Sequence, residues 1–140
     1  MIDFRSDTVT RPTPGMLKAM YEAPVGDDVF GEDPSINQLE QFTASLFGME
    51  AGLFCPSGTM TNQIALATHL NKGQEVICDA MSHIYFYEGG GIMANAGASA
   101  KLLKGNLGRI SVDQIKEAIS PDEIHFCETA LVSLENSMNK

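Results

Sequence analysis

A few short segments of this chain carry side chains whose type and spacing could do chemistry. Pro56-Ser57-Gly58-Thr59 is the first. It lies between an apolar run at 51–55 and a stretch rich in Ala, Leu and Ile, where a buried strand would hand over to a helix. Gly58 lets the backbone approach a ligand closely. The unsatisfied N–H groups and the dipole of a helix start favour an anion there, and Ser57 and Thr59 add hydroxyls. The segment reads either as a phosphate cup or as a turn with a serine N-cap. It is not a Walker A loop, because no Gly-Lys-Ser/Thr follows. His83 follows the end of the next apolar run, Val76-Ile77-Cys78, and should share a sheet edge with Ser57. A histidine there can stack on a flat cofactor or move protons near neutral pH. The other reading is a loop histidine or a helix cap. His125, in Glu123-Ile124-His125-Phe126, reads on its own as a half-buried histidine near a strand start. His69 sits late in a helix, as a favourable charge at its C-terminal end. Arg5-Ser6-Asp7-Thr8-Val9-Thr10 is either an arm lining a site or a solvated tail.

The elements that must position these groups follow from Gly, Pro and the apolar periodicity. Pro12 and Pro14 keep the first residues extended. Residues 15–23 suit a short helix with Leu17, Met20 and Tyr21 on one face. Residues 24–33 are polar and Gly-rich and read as a loop. Asp33 and Pro34 form an N-cap and first helical position, and Ile36, Leu39, Thr43, Leu46 and Phe47 follow at helical spacing before Gly48 closes the helix. Strands are expected at 51–55, 75–79, 100–103 and 129–135. Helices are expected at 60–70 and 83–88, and after the capping-box pair Ser111 and Gln114. Alternation of strand and helix implies an α/β architecture with a mostly parallel sheet. In such sheets functional residues gather where strands end.

Composition narrows the function class. The chain has 140 residues and 15.1 kDa, with 44% hydrophobic and 19% charged residues and a mean hydropathy of −0.04. That is material for a core, not for a disordered chain. The net charge of −9 and pI near 4.6 exclude a nucleic-acid binder, which needs a basic face, and docking on anionic lipid. No apolar run approaches the roughly 18 residues of a membrane-spanning helix. The start carries Asp3 where a signal peptide wants a basic start and an apolar run. Cys55, Cys78 and Cys127 form neither a disulfide framework nor a Cys-x-x-Cys site. A reduced cytoplasmic location is the simple expectation, with core packing as the role of the cysteines. The acidic stretch Gly26-Asp27-Asp28 to Gly31-Glu32-Asp33 lacks EF-hand spacing. It reads as a solvated or interface loop, and no metal site is expected.

Taken in order, the segments resemble one family. Phe4-Arg5-Ser6-Asp7-Thr8-Val9-Thr10 is followed by Val25-Gly26-Asp27-Asp28-Val29-Phe30-Gly31-Glu32-Asp33-Pro34, then Pro56-Ser57-Gly58-Thr59-Met60. After these come Ser82-His83-Ile84 with Glu88-Gly89-Gly90, and finally Leu134-Glu135-Asn136. The whole resembles the low-specificity L-threonine aldolases of the β-eliminating lyase group. These are pyridoxal-phosphate enzymes of the aspartate-aminotransferase fold. The resemblance implies an N-terminal arm and the first part of the cofactor-binding large domain over 1–140. It implies phosphate binding at Ser57, Gly58 and Thr59, and ring stacking plus proximity to the substrate hydroxyl at His83. It implies substrate-carboxylate binding at Ser6, and a place near the hydroxyl for His125. His83 and His125 are then the two possible catalytic bases. The implied reaction is cleavage of L-threonine or L-allo-threonine to glycine and acetaldehyde, in a cytoplasmic homotetramer built from dimers.

Two departures bear on that expectation. The family often carries Glu-Asn-Thr-His-Asn where this chain has Glu135-Asn136-Ser137-Met138-Asn139, so any role of that histidine is missing here. Pyridoxal chemistry also needs a lysine anchor and an acid facing the pyridine nitrogen. Lys18, Lys72, Lys101, Lys104 and Lys116 read as solvated charges, and Lys140 ends the sequence. The anchor and the acid are expected beyond residue 140, so this stretch by itself is expected to be inactive. The competing readings are another pyridoxal-phosphate lyase of the same fold and a non-catalytic truncated chain.

Overall fold

The computed structural model describes residue 3 and residues 6–138. Phe4, Arg5, Asn139 and Lys140, which enter the motifs above, lie outside the described residues. The chain divides into two compact units, Met1–Pro56 and Ser57–Lys140.

The first unit carries two helices with locally encoded ends. Helix α1 spans Pro14–Glu22, and its N-cap Thr13 accepts from the Met16 amide at 3.2 Å. Leu17, Met20 and Tyr21 do fall on this helix, but all three are exposed. Helix α2 spans Pro34–Phe47. Asp33 caps it, with Oδ1 accepting from Ser35 and Ile36 at 2.9 Å each and Oδ2 accepting from Gly26 at 3.0 Å. The amides of Ile36 and Gly26 outweigh the opposing effect of burial and, with Ser35, hold the Asp33 carboxyl below its ordinary value. The helix ends at Gly48, which takes the left-handed conformation at φ 64° that favours glycine. Residues 51–55, expected as a buried strand, form none. A strand exists only through a ladder partner, and no described segment pairs with this one. Instead the Phe54 amide donates to Glu40 Oε1 at 2.6 Å.

The second unit is α/β, as the alternation implied. Helix α3 spans Gly58–His69 and leads into β1, Glu75–Asp79. Two short helices, α4 (His83–Phe86) and α5 (Gly91–Ala94), precede β2, Ser99–Leu103. Helix α6, Val112–Ala118, carries the expected capping box of Ser111 and Gln114 and precedes β3, Thr129–Val132. The three strands make one parallel sheet in the order β2-β1-β3. Strand β3 stops three residues short of the apolar pattern, although the Ser133 amide still donates to the Ile77 carbonyl at 2.9 Å.

Strand β1 is central and buried on both faces, which is why its sequence is a continuous apolar run rather than an alternating one. Val76, Ile77 and Cys78 have no exposed surface. Val76 and Cys78 pack with Leu66, Leu70, Ile84, Ile92, Ala96 and Ala98, so α3, α4 and α5 cover that face. Ile77→Val removes one methylene from this centre. It should cost about 0.5–1.5 kcal/mol, read as a shift of the urea midpoint of the full-length protein.

Two sequence expectations change here. Lys101 is not a solvated charge: its ammonium lies 2.7 Å from Glu75 Oε1 under the sheet, where the parallel register brings β2 beside β1. Only Cys78 is a core cysteine. Cys55 is half-buried and off any strand, and Cys127 is exposed. No helix among the described residues is long and apolar enough to cross a membrane.

Candidate functional site

Helix α3 runs back against β1, so its first turn lies at the sheet edge where β1 ends. Ser57 is its N-cap, with φ −150° and ψ 151°, and its Oγ accepts from the Met60 amide at 3.1 Å. That hydroxyl proton can still be donated to a ligand. The amides of Gly58 and Thr59 occupy the first helical positions, which have no carbonyl partner one turn back. A Cβ added at Gly58 would meet nothing within 4 Å. The turn is therefore a serine-capped helix start, and it also leaves open space over amides and hydroxyls that suit a phosphate. The two sequence readings of this segment are compatible.

His83 opens α4 four residues after β1 ends, at the same edge. Three contacts hold it. Its backbone amide donates to Glu135 Oε1, just after β3. Its Nδ1 lies 2.8 Å from Glu88 Oε1. Its ring tilts 41° to that of Tyr87 at 5.5 Å. The imidazole side chain is 40% exposed, while the Glu88 side chain is fully buried. Glu88 also receives Asn62 Nδ2 at 2.7 Å and Gln63 Nε2 at 2.5 Å, both from α3. The helix that carries the phosphate-suited turn and the histidine are thus tied to one carboxylate. Beneath them, Asp79 closes the end of β1: Oδ1 accepts from Met81 and Oδ2 from Gly105, both at 2.8 Å. Cys78, one residue earlier, is a core thiol whose pKa burial pushes up.

His125 is placed elsewhere. It lies in a turn four residues before β3, its side chain is 81% exposed, and its Nε2 is 3.6 Å from Glu123. In a parallel sheet the starts and ends of strands lie on opposite edges. His125 therefore stands across the strand length from His83, roughly 16 Å for five residues. The expected meeting of the two histidines does not form within this unit. Ser6 belongs to the first unit; its Oγ is 2.9 Å from Thr8 Oγ1 and accepts from the Thr8 amide at 3.3 Å. Met138, which replaces the histidine of the family pattern, packs over Gly108.

Asn62, Gln63 and Glu88 join the site only through the fold. Their signal in the sequence is two amides side by side in a helix with no others, and an acid five residues after His83.

Comparison with known proteins identifies the family. The family described as Beta-eliminating lyase matches residues 3–140. The low specificity L-threonine aldolase of Escherichia coli strain K12 is 45% identical over 99% of the chain, which covers 42% of that protein. The enzyme of the same description from Saccharomyces cerevisiae is 42% identical over 98% of the chain and 36% of its own length. A solved structure of Leishmania major threonine aldolase superposes with a TM-score of 0.80 at 24% identity, over 93% of this chain and 39% of that one. The chain thus spans about two fifths of the length of the relatives it matches.

Proposed function

The chain belongs to the beta-eliminating lyase family, and we propose that the protein it forms part of is a threonine aldolase dependent on pyridoxal phosphate. It cleaves L-threonine, and L-allo-threonine, to glycine and acetaldehyde. The observation that carries the reading is the joint, through Glu88, between His83 and the helix α3 whose first turn suits a phosphate. The relatives' shared description supports it.

The donor set fits the cofactor's phosphate. The Gly58 and Thr59 amides, the hydroxyls of Ser57 and Thr59 and the dipole of a twelve-residue helix all favour a dianion. When bound, pyridoxal phosphate supplies a conjugated ring that takes up the electron pair left as the Cα–Cβ bond breaks. This chain's residues do the rest of what falls to it. The α3 turn fixes one end of the cofactor, so that the scissile bond can be aligned. The imidazole face of His83 offers a flat apolar surface for the ring. Its free nitrogen takes the proton of the substrate β-hydroxyl, directly or through one water. The Ser6 hydroxyl donates to the substrate carboxylate. His125, which precedes β3, is the second residue the family resemblance offers near the substrate hydroxyl. The lysine anchor and the acid opposite the pyridine nitrogen belong to the remainder of the protein. The assembly is a homotetramer of paired dimers, in the cytoplasm.

Incubating the full-length protein with pyridoxal phosphate and L-threonine tests the reading. Equimolar glycine and acetaldehyde are expected. A 2-oxo acid with ammonia would assign the protein instead to an eliminating lyase acting through the same cofactor.

A further inference from the structure

Glu88 is the most constrained side chain near His83. It is fully buried and receives three side-chain partners: Asn62 Nδ2 and His83 Nδ1 on Oε1, and Gln63 Nε2 on Oε2. The Gln63 amide is itself oriented, because its Oε1 accepts from Asn95 Nδ2 at 3.1 Å. That contact turns the Gln63 N–H toward Glu88. Each Glu88 oxygen then accepts from an amide, so the carboxylate acts as an acceptor throughout. The His83 nitrogen facing it must be the donor. Gly91 keeps this arrangement possible, since a Cβ there would run into the Gln63 amide.

We propose that Glu88, braced by Asn62 and Gln63, is a positioning residue that locks His83 in its Nδ1–H tautomer and so presents Nε2 as the proton acceptor. The catalytic consequence rests on the aldolase reading above; the tautomer does not. An imidazole with no such partner populates both neutral tautomers, and only the hydrogen bond on one nitrogen decides the state of the other. Here the deciding bond comes from a carboxylate that cannot rotate away, because two amides from α3 hold it. The brace also couples His83 to the helix that carries the phosphate-suited turn, so a shift of α3 would be felt at the imidazole.

Ring-nitrogen NMR of the full-length protein, free of cofactor and then loaded, reads the tautomer directly. The His83 signal is assigned by its loss in His83→Gln. The wild-type protein should show Nδ1 protonated and Nε2 unprotonated in the neutral form. Glu88→Gln places an amide that can itself donate to Nδ1, so the signal should move toward the Nε2–H form. Gly91→Ala should move it the same way by displacing Gln63, without touching either partner of the bond. In the loaded enzyme, Glu88→Gln should lower kcat on the order of 10²-fold, the scale of a positioned base, with KM for threonine little changed. A purely structural role would lower stability and leave the tautomer alone. A wild-type Nε2–H tautomer, or an unchanged Nδ1–H signal in Glu88→Gln, overturns the proposal. If Glu88→Gln does not fold, the wild-type signal and Gly91→Ala decide. Failure of the wild-type protein to release acetaldehyde overturns the aldolase reading alone, because the tautomer is measured without turnover.

Discussion

Replacing His83 with phenylalanine in the full-length protein should lower kcat for threonine cleavage by about 10²- to 10⁴-fold, the range a positioned proton acceptor contributes. Cofactor retention should stay close to wild type. Phenylalanine keeps a flat ring on α4, in the place where Tyr87 tilts against His83 at 5.5 Å. It has no nitrogen to take a proton. His83→Gln is the complementary change: it restores a polar group at that reach and removes the aromatic face. That variant should lose both turnover and cofactor affinity. Single-turnover rates and equilibrium dialysis of the cofactor, run on both variants, separate the two roles of one side chain. A phenylalanine variant that turns over at the wild-type rate would remove His83 from the proton transfer and leave it a stacking residue. In both variants Glu88 loses its imidazole donor but keeps the amides of Asn62 and Gln63. The buried carboxylate is therefore not stripped of partners, and the fold should survive.

What the sequence reveals about this site divides by the range of the interaction. Asp33 with Pro34, and Ser111 with Gln114, are legible because a cap is made within four residues of its own helix. Residues 75–79 are legible because burial on both faces demands a continuous apolar run. Residues 51–55 carry the same kind of run and form no strand, since an apolar run supplies burial but not a ladder partner. The His83 site shows the same split. Position after a strand end places His83 at the edge where α3 begins. Its brace involves residues 25 and 26 positions apart along the chain, which no local pattern encodes. Lys101 reads as a solvated charge because its carboxylate partner sits on the neighbouring strand. His125 shows where position and resemblance point apart. Its place before a strand puts it at the starting edge of a parallel sheet, away from His83 in this unit, while the family resemblance implies a place near the substrate hydroxyl.

The pair made by that lysine carries the second large effect. Glu75 is almost fully buried at the start of β1. Its Oε1 receives Lys101 Nζ at 2.7 Å, Ser120 Oγ at 2.8 Å and Thr129 Oγ1 at 2.5 Å. The ammonium also donates to the Ala118 carbonyl at 2.9 Å, so one carboxylate joins all three strands to the end of α6. Glu75→Ala removes the acceptor from three donors and leaves Lys101 without its counter-charge. The cost should be about 3 kcal/mol, the lower end for breaking a buried pair, because the lysine side chain is 30% exposed and can reach water. Replacing both partners, as Glu75→Leu with Lys101→Met, should recover most of that loss, since neither charge is then stranded. Acid tests the same group. Burial pushes the Glu75 carboxyl up, but the donors from Lys101, Thr129 and Ser120 and the lysine charge outweigh it, and the folded value lies below the ordinary one. A lowered folded value means that the stabilisation is complete above the unfolded carboxylate pKa, and is lost as pH falls through the folded one. Urea unfolding of the full-length protein should therefore show a gap between wild type and Glu75→Gln at neutral pH that closes in acid. A double variant as unstable as Glu75→Ala would mean that the shape of the site, and not its charge, sustains this corner of the sheet.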